Sequence, residues 1–200
     1  YSDGHAYCFG CEYYEPPSDG HTSTTTSKGK RMSDDLIEGV FNSLSKRKIT
    51  EETCRRFGYR VGKTSKGKSA HLAEFRNQRG DVVAQHLRLK GKEFPWVGDK
   101  SKDLQLFGLH LMRDDAAKVI ITEGELDALS VAEAIGPKSR WGVCSLISGA
   151  KGAVQDISAN LSKLEKAGEV ILMFDMDEPG QEAAEAAARL FRPGKCKIAS

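Results

Sequence analysis

Two acidic clusters in this 200-residue chain each follow a short apolar run. In the first, Val119-Ile120-Ile121-Thr122 leads into Glu123-Gly124-Glu125-Leu126-Asp127. In the second, Val170-Ile171-Leu172-Met173-Phe174 leads into Asp175-Met176-Asp177-Glu178-Pro179-Gly180. Such apolar runs read as buried parallel strands, which are covered on both faces and need not alternate. A helical pattern follows each, so the acids fall in strand-to-helix turns. Open α/β sheets bind ligands at that end of their strands. Carboxylate oxygens are hard ligands suited to magnesium or manganese, and magnesium commonly shares them with phosphate oxygens. One acid in such a turn serves as a helix cap or a partner for the macrodipole. Glu-x-Glu-x-Asp and Asp-x-Asp on two strands exceed that need, because crowded like charges repel unless a cation neutralises them. The chemistry this points to is metal-dependent phosphoryl transfer.

Within that reading Asp175 is the leading metal ligand. Asp177 shares the metal if the turn brings both acids to one side. Glu123 is either a third ligand or the general base that takes a hydroxyl proton. Asp127, one helical turn further on, is a candidate for orienting these groups or touching a nucleotide.

The net charge of +2 conceals a strong asymmetry. Residues 46–102 carry sixteen bases and six acids, whereas residues 103–200 carry eleven bases and fifteen acids. A basic block beside an acidic one suits an enzyme of nucleic acids: one part holds the polyanion and the other the cations. A solvated surface of dispersed charge is the plain alternative for the basic block alone. Candidates to bind a triphosphate or DNA are Arg88, Lys90, Lys92, Lys100 and Lys102. No apolar run approaches the ~20 residues of a membrane span. Five cysteines, three of them isolated, argue against a secreted disulfide framework and for a reducing cytoplasm.

These residues need elements to position them. Residues 1–14 are aromatic-rich and hold Cys8-Phe9-Gly10-Cys11, and residues 15–33 form a polar linker. Apolar positions at Leu36, Ile37, Val40, Phe41 and Leu44 predict a helix over 34–45. Thr50 predicts the cap of a second short helix ending near Gly58. Strands are expected over 59–64, 70–76 and 81–89, the first two joined by the turn Ser65-Lys66-Gly67-Lys68. Residues 90–103 read as basic and irregular. From residue 108 the pattern is α/β: strands at 118–122, 142–146, 169–174 and from about 195, alternating with helices at 124–135, 152–166 and 179–191. The chain is thus α/β, a small basic α+β subdomain (34–107) preceding a parallel sheet flanked by helices (108–200).

TEGELDAL at 122–129 and FDMDEPG at 174–180, about 50 residues apart, resemble the glutamate and Asp-x-Asp motifs of the Toprim domain. Residues 144–150 resemble its intervening strand and glycine loop. Over nearly its whole length the chain resembles the primase half of the bifunctional primase–helicases of short-tailed bacteriophages. SDGHAYCFGC at 2–11 is similar to the second knuckle of their zinc ribbon, and ITEETCRRFGY at 49–59 to their N-terminal subdomain. The resemblance implies a Toprim-type fold and synthesis of short RNA primers from ribonucleoside triphosphates on a single-stranded DNA template. It implies magnesium or manganese at Glu123, Asp175 and Asp177, and zinc in the full-length protein, with Cys8 and Cys11 as two of four ligands. Asp3 and His5 match residues that read the template, and Lys92 matches a lysine that contacts the nucleotide. His86 stands where the family has a lysine. The first cysteine pair, the third Toprim acid and a helicase domain are expected outside these 200 residues. A replicative DNA polymerase is the expected partner, in the cytoplasm of an infected bacterium. A Toprim nuclease and a non-catalytic Toprim recombination mediator are the alternatives. The nuclease breaks phosphodiesters, and mediators often lack the acids that are present here.

Overall fold

The structure is a computed structural model that describes residues 6–7, 14–15, 36–91, 93–100 and 103–199. The chain divides into two compact units, residues 1–30 and residues 31–200. In the first, strand β1 (Ala6–Tyr7) pairs antiparallel with β2 (Tyr14–Glu15). Asp3, His5, Cys8, Cys11, Lys92 and Lys102 lie outside the described residues. Among the described residues no helix is long and apolar enough to cross a membrane.

The second unit contains two sheets. The first is antiparallel, in the order β3 (Gly39–Val40), β4 (Tyr59–Lys63), β5 (Ser69–Arg76), β6 (Val82–Leu89), β7 (Trp96–Gly98). The expected hairpin is present, with Gly67 at φ 74° in its turn. Helix α1 (Glu51–Phe57) begins at Thr50, whose hydroxyl accepts from Thr53 N–H at 3.3 Å, and ends at Gly58 with φ 74°. Both ends follow from ordinary capping chemistry.

The helix expected over 34–45 does not form in the described part of that segment. Buried Gln85 competes for its backbone: Ile37 N–H donates to Gln85 Oε1 at 2.8 Å, and Gln85 Nε2 donates to Ile37 O at 3.0 Å. This amide copies a strand's paired bonds and holds the segment extended. Gly39 and Val40 then pair with Gly62 and Val61, and the Phe41 ring lies under the Arg60 guanidinium at 3.9 Å. The apolar spacing was compatible with a helix, but a tertiary partner outweighed it. A second difference is β7, within the stretch read as irregular. It pairs with β6 through Trp96 and His86, Val97 and Gln85, and Gly98 and Ala84.

The second sheet is parallel, in the order β11 (Cys196–Ile198), β10 (Glu169–Met173), β8 (Lys118–Thr122), β9 (Trp141–Ser145). Helices α2 (Glu125–Ile135), α3 (Ala153–Leu164) and α4 (Glu178–Ala188) connect its strands. Val119, Ile121, Cys144, Val170 and Leu172 pack with Ile157, Leu164, Ala184 and Ala187 of α3 and α4. Val143 packs instead with Leu126, Leu129 and Ala132 of α2, in a core that also takes in Phe57, Tyr59, Phe75 and Phe107. That second core joins the two sheets into one body. Gly108 permits a close approach there: at φ 81°, an added Cβ would lie 2.5 Å from the Phe57 ring.

Strand order fixes where ligands fit. The chain passes from β8 to β9 on one side, then crosses back to place β10 on the other side of β8. Helices α2 and α3 therefore leave on opposite faces of the sheet. The crevice this opens lies at the carboxyl ends of β8 and β10, the topological switch point.

Candidate active site

Glu123 follows the end of β8, and Asp175 follows the end of β10. Both line a cleft of about 670 Å³, with Asp127 and Glu125 from α2 and residues 146–149 from the loop after β9. The opposite wall comes from the antiparallel sheet and its neighbours: His86, Arg88, Phe94, Trp96 and Lys100, with Arg47 at the rim. Of the site residues expected from sequence, the fold thus gathers Arg88, Lys100, Glu123, Asp127 and Asp175. Lys90 lies in an adjoining groove that shares Arg47, Arg88 and Leu126 with the cleft.

Asp177 is exposed and has a local duty. Its Oδ1 accepts from Gly180 N–H at 2.9 Å, capping α4. The capping role available to any acid in this position is realised at Asp177, and Oδ2 takes no part in it. Gly180 is required here by close approach: an added Cβ would sit 2.2 Å from Asp175 O and 3.0 Å from Asp177 Oδ1.

Glu123 is held more deeply. Its Oε1 accepts from Ala150 N–H at 3.4 Å, and its Oε2 is buried without a hydrogen-bond partner. A buried carboxylate oxygen without a donor is costly unless a cation or a ligand proton meets it. The turn bearing it is fixed by buried Thr122, whose hydroxyl donates to Gly124 O at 3.0 Å.

The acids influence one another across the cleft. Partial burial pushes the Asp127 carboxyl above its ordinary range. Asp175 and Glu125 push the same way, while Arg47, 3.7 Å away, and Arg88 oppose them. Among the described residues, no three His, Cys, Asp or Glu side chains stand close enough to hold a metal by themselves. Magnesium seldom requires that, since one or two carboxylates plus phosphate and water complete its shell. Hard carboxylate donors and the orphan oxygen of Glu123 fit such a cation.

Several contacts that shape the site were not foreseen from sequence. Glu125 pairs with His86, Nδ1 to Oε1 at 2.5 Å, and both side chains are largely buried. The His86 ring stacks on Trp96 with centroids 4.5 Å apart. The loop beside Glu123 is tied down by Asp156, which accepts from Ile147 N–H at 2.9 Å and Ser148 N–H at 2.7 Å. Glu125 was visible within the acidic cluster. Its pairing depends on a strand 39 residues away and could not be read from spacing.

This sheet, with acids at the ends of its two central strands, defines a Toprim-type site, and the family description "Toprim-like" matches residues 120–200. A second description, "Bacteriophage T7 DNA helicase/primase, N-terminal a+b fold", matches residues 39–98. Over its whole length the chain is 36% identical to the DNA helicase/primase of Enterobacteria phage T3, spanning 36% of that protein. It also superposes on the crystal structure of the primase fragment of the bacteriophage T7 primase–helicase, with a TM-score of 0.76 and 34% identity. That match covers all of this chain and 82% of the fragment. A further match, at TM-score 0.74 and 38% identity, covers 82% of this chain and 81% of the other. It is to a structure of T7 lagging-strand DNA polymerase interacting with primase domains of two gp4 subunits bound to an RNA/DNA hybrid and dTTP. The chain belongs to the phage DNA primase–helicase family, within which it corresponds to the primase part. It spans about a third of the length of the curated T3 relative.

Proposed function

We propose that this chain is a DNA primase module, synthesising short RNA primers from ribonucleoside triphosphates on single-stranded DNA during phage replication. One observation carries this reading: Glu123 and Asp175, from neighbouring strand ends, share a cleft with Arg88 and Lys100 from the basic sheet. Acids alone would suit many hydrolases. Acids facing cations suit a polyphosphate that must be held while its α-phosphate is attacked. Arg88 and Lys100 orient the triphosphate. Glu123 and Asp175, with Asp177 beside them, hold magnesium or manganese, or Glu123 takes the proton of the attacking hydroxyl. When bound, such a cation neutralises phosphate charge and lowers the pKa of the oxygen it coordinates. Lys92 and Lys102 are assigned the same phosphate-holding role in this reading.

Asp3 and His5 are assigned to reading the template, and Cys8 and Cys11 to two of four zinc ligands in the full-length protein. The relatives' names support a helicase domain in the parent chain and contact with a replicative DNA polymerase. The host cytoplasm is the compartment this reading assigns. The test is incubation of the parent protein with single-stranded templates and labelled ribonucleotides. Template-dependent short RNA that requires a divalent cation is the expected product. Cleavage of the DNA in its place overturns the reading in favour of a nuclease. Elemental analysis of the parent protein checks the zinc assignment, with one zinc per chain lost on Cys8→Ser.

A further inference from the structure

The wall facing the carboxylates is aromatic as well as cationic. Phe75, His86, Phe94 and Trp96 form a contiguous set of rings. Phe75 and Trp96 are 4.8 Å apart, His86 and Trp96 are stacked at 4.5 Å with planes 15° apart, and His86 and Phe94 are 6.0 Å apart. Burial falls steadily along this series. Phe75 is core, His86 and Trp96 are partly covered, and Phe94 is 44% exposed. The inner rings are also locked from outside. His86 is pinned by Glu125 at 2.5 Å, and Trp96 lies beneath the Lys100 ammonium at 4.8 Å.

Phe94 therefore ends a packed series of rings, tilted 41° against His86, rather than standing alone. An exposed phenylalanine alone is unremarkable. This one lines the cleft that holds Glu123 and Asp175, and the Arg88 guanidinium lies over one side of its ring, 5.2 Å from the centroid. Such a neighbourhood suits a ligand with a flat apolar face attached to phosphate. The ring takes the face, and Arg88 and Lys100 take the charge. A lipid or an apolar peptide would leave those cations unanswered, and a bare polyphosphate would leave the ring wet. Aromatic platforms beside cations stack bases without regard to sequence, because every base has a π-face.

We propose that Phe94, backed by His86 and Trp96, is the stacking platform for a nucleobase in this cleft. The proposal rests on the primase reading and adds the subsite for the base. The base belongs to the incoming ribonucleotide or to the template strand, and the two sources are separable by experiment.

The experiment is equilibrium binding to the whole chain without catalysis, using ATP, inorganic tripolyphosphate, a single-stranded DNA oligomer and its abasic counterpart. Phe94→Ala should weaken ATP or the base-bearing oligomer by roughly 5- to 150-fold, the range for losing one stacked base. It should leave tripolyphosphate and the abasic oligomer within about twofold. Phe94→Tyr should restore wild-type binding. Phe94→Leu, apolar but without a π-face, should not. Loss confined to ATP identifies the nucleotide's base, and loss confined to the oligomer identifies a template base. Equal binding of all four probes by wild type and Phe94→Ala overturns the platform, as does equal weakening of tripolyphosphate. Full rescue by Leu does so too. If the wild-type chain binds neither ATP nor DNA, the primase reading falls and the platform with it. The two failures are thus distinguishable.

Discussion

The Asp156 carboxylate accepts the backbone N–H of Ser148 at 2.7 Å, and the same Oδ2 accepts Ile147 N–H at 2.9 Å. Asp156 lies on α3, nearly buried, while Ile147 and Ser148 line the cleft. Burial pushes the Asp156 carboxyl up, and these hydrogen bonds pull it back down. Two residues beyond Ser148, Ala150 N–H reaches Glu123. Asp156 thus positions the loop that in turn positions a candidate catalytic acid. Asp156→Ala leaves two backbone donors without their acceptor and should cost roughly 1–3 kcal/mol of stability. It should also lower primer synthesis at saturating nucleotide. Asp156→Asn keeps an acceptor oxygen and should recover most of the rate. Urea unfolding and kcat measured on both variants check this. Equal loss of rate in Asn and Ala would deny the positioning role.

Asp175 is exposed and supports no packing, so its charge can be removed with little effect on the fold. Asp175→Asn should reduce primer synthesis by at least about 100-fold, as expected for removing a group that acts on transition-state charge. Thermal unfolding and affinity for single-stranded DNA should remain near wild type. A primer assay across a magnesium titration is the measurement, and a wild-type rate would remove Asp175 from the site.

Gly180 carries a different kind of constraint. A methyl group there would approach Asp175 O to 2.2 Å, so the Asp-x-Asp turn and the start of α4 must separate. Gly180→Ala should destabilise the fold by about 1–3 kcal/mol, the range for overpacking. It should also depress activity, although it removes no functional group. Denaturant midpoints together with the primer assay test this.

His110 supplies a pH dependence outside the cleft. Burial lowers its pKa from 6.5 to about 4, helped by Arg76 and Lys163 and opposed by a hydrogen bond to the Arg56 backbone. Between those two values the unfolded chain binds a proton that the folded chain refuses. Stability from this group is therefore present above about pH 6.5 and falls as the pH drops toward about 4, by up to about 1–3 kcal/mol. His110→Asn should flatten the slope in that window. Urea unfolding at several pH values reads it directly.

Much of this architecture was legible in the sequence because its local signals agree. The Val119–Thr122 run is buried throughout, as a central parallel strand requires, and Thr50 and Gly58 cap α1 as their chemistry dictates. Glu123, Asp127 and Asp175 meet in one cleft because strand order brings β8 and β10 together. What stayed hidden depends on distant partners. Leu36 to Leu44 read as helical because nothing local reveals that Gln85 captures Ile37. The Trp96 strand is three residues long and gains its order from β6. Asp156 reads as one more acid in an amphipathic helix, and only the fold turns it toward Ser148.

The cationic wall separates holding from chemistry. Arg88, Lys90 and Lys100 are exposed, and Arg88 bridges the cleft and the adjoining groove. None is buried in a core, so replacing all three with Ala should leave the fold intact. Each phosphate contact on a single strand contributes about 0.7 to the slope of log affinity against log salt. If all three hold phosphates, the triple variant should show a slope shallower by about 2. The weakening should be similar for unrelated DNA sequences, since phosphates carry no sequence information. Binding isotherms for two unrelated oligomers across a salt series decide the matter. An unchanged slope would mean that these side chains are only solvated charge. A loss limited to one sequence would make them readers of bases, and the proposed division of labour between the cationic wall and Asp3 and His5 would have to be redrawn.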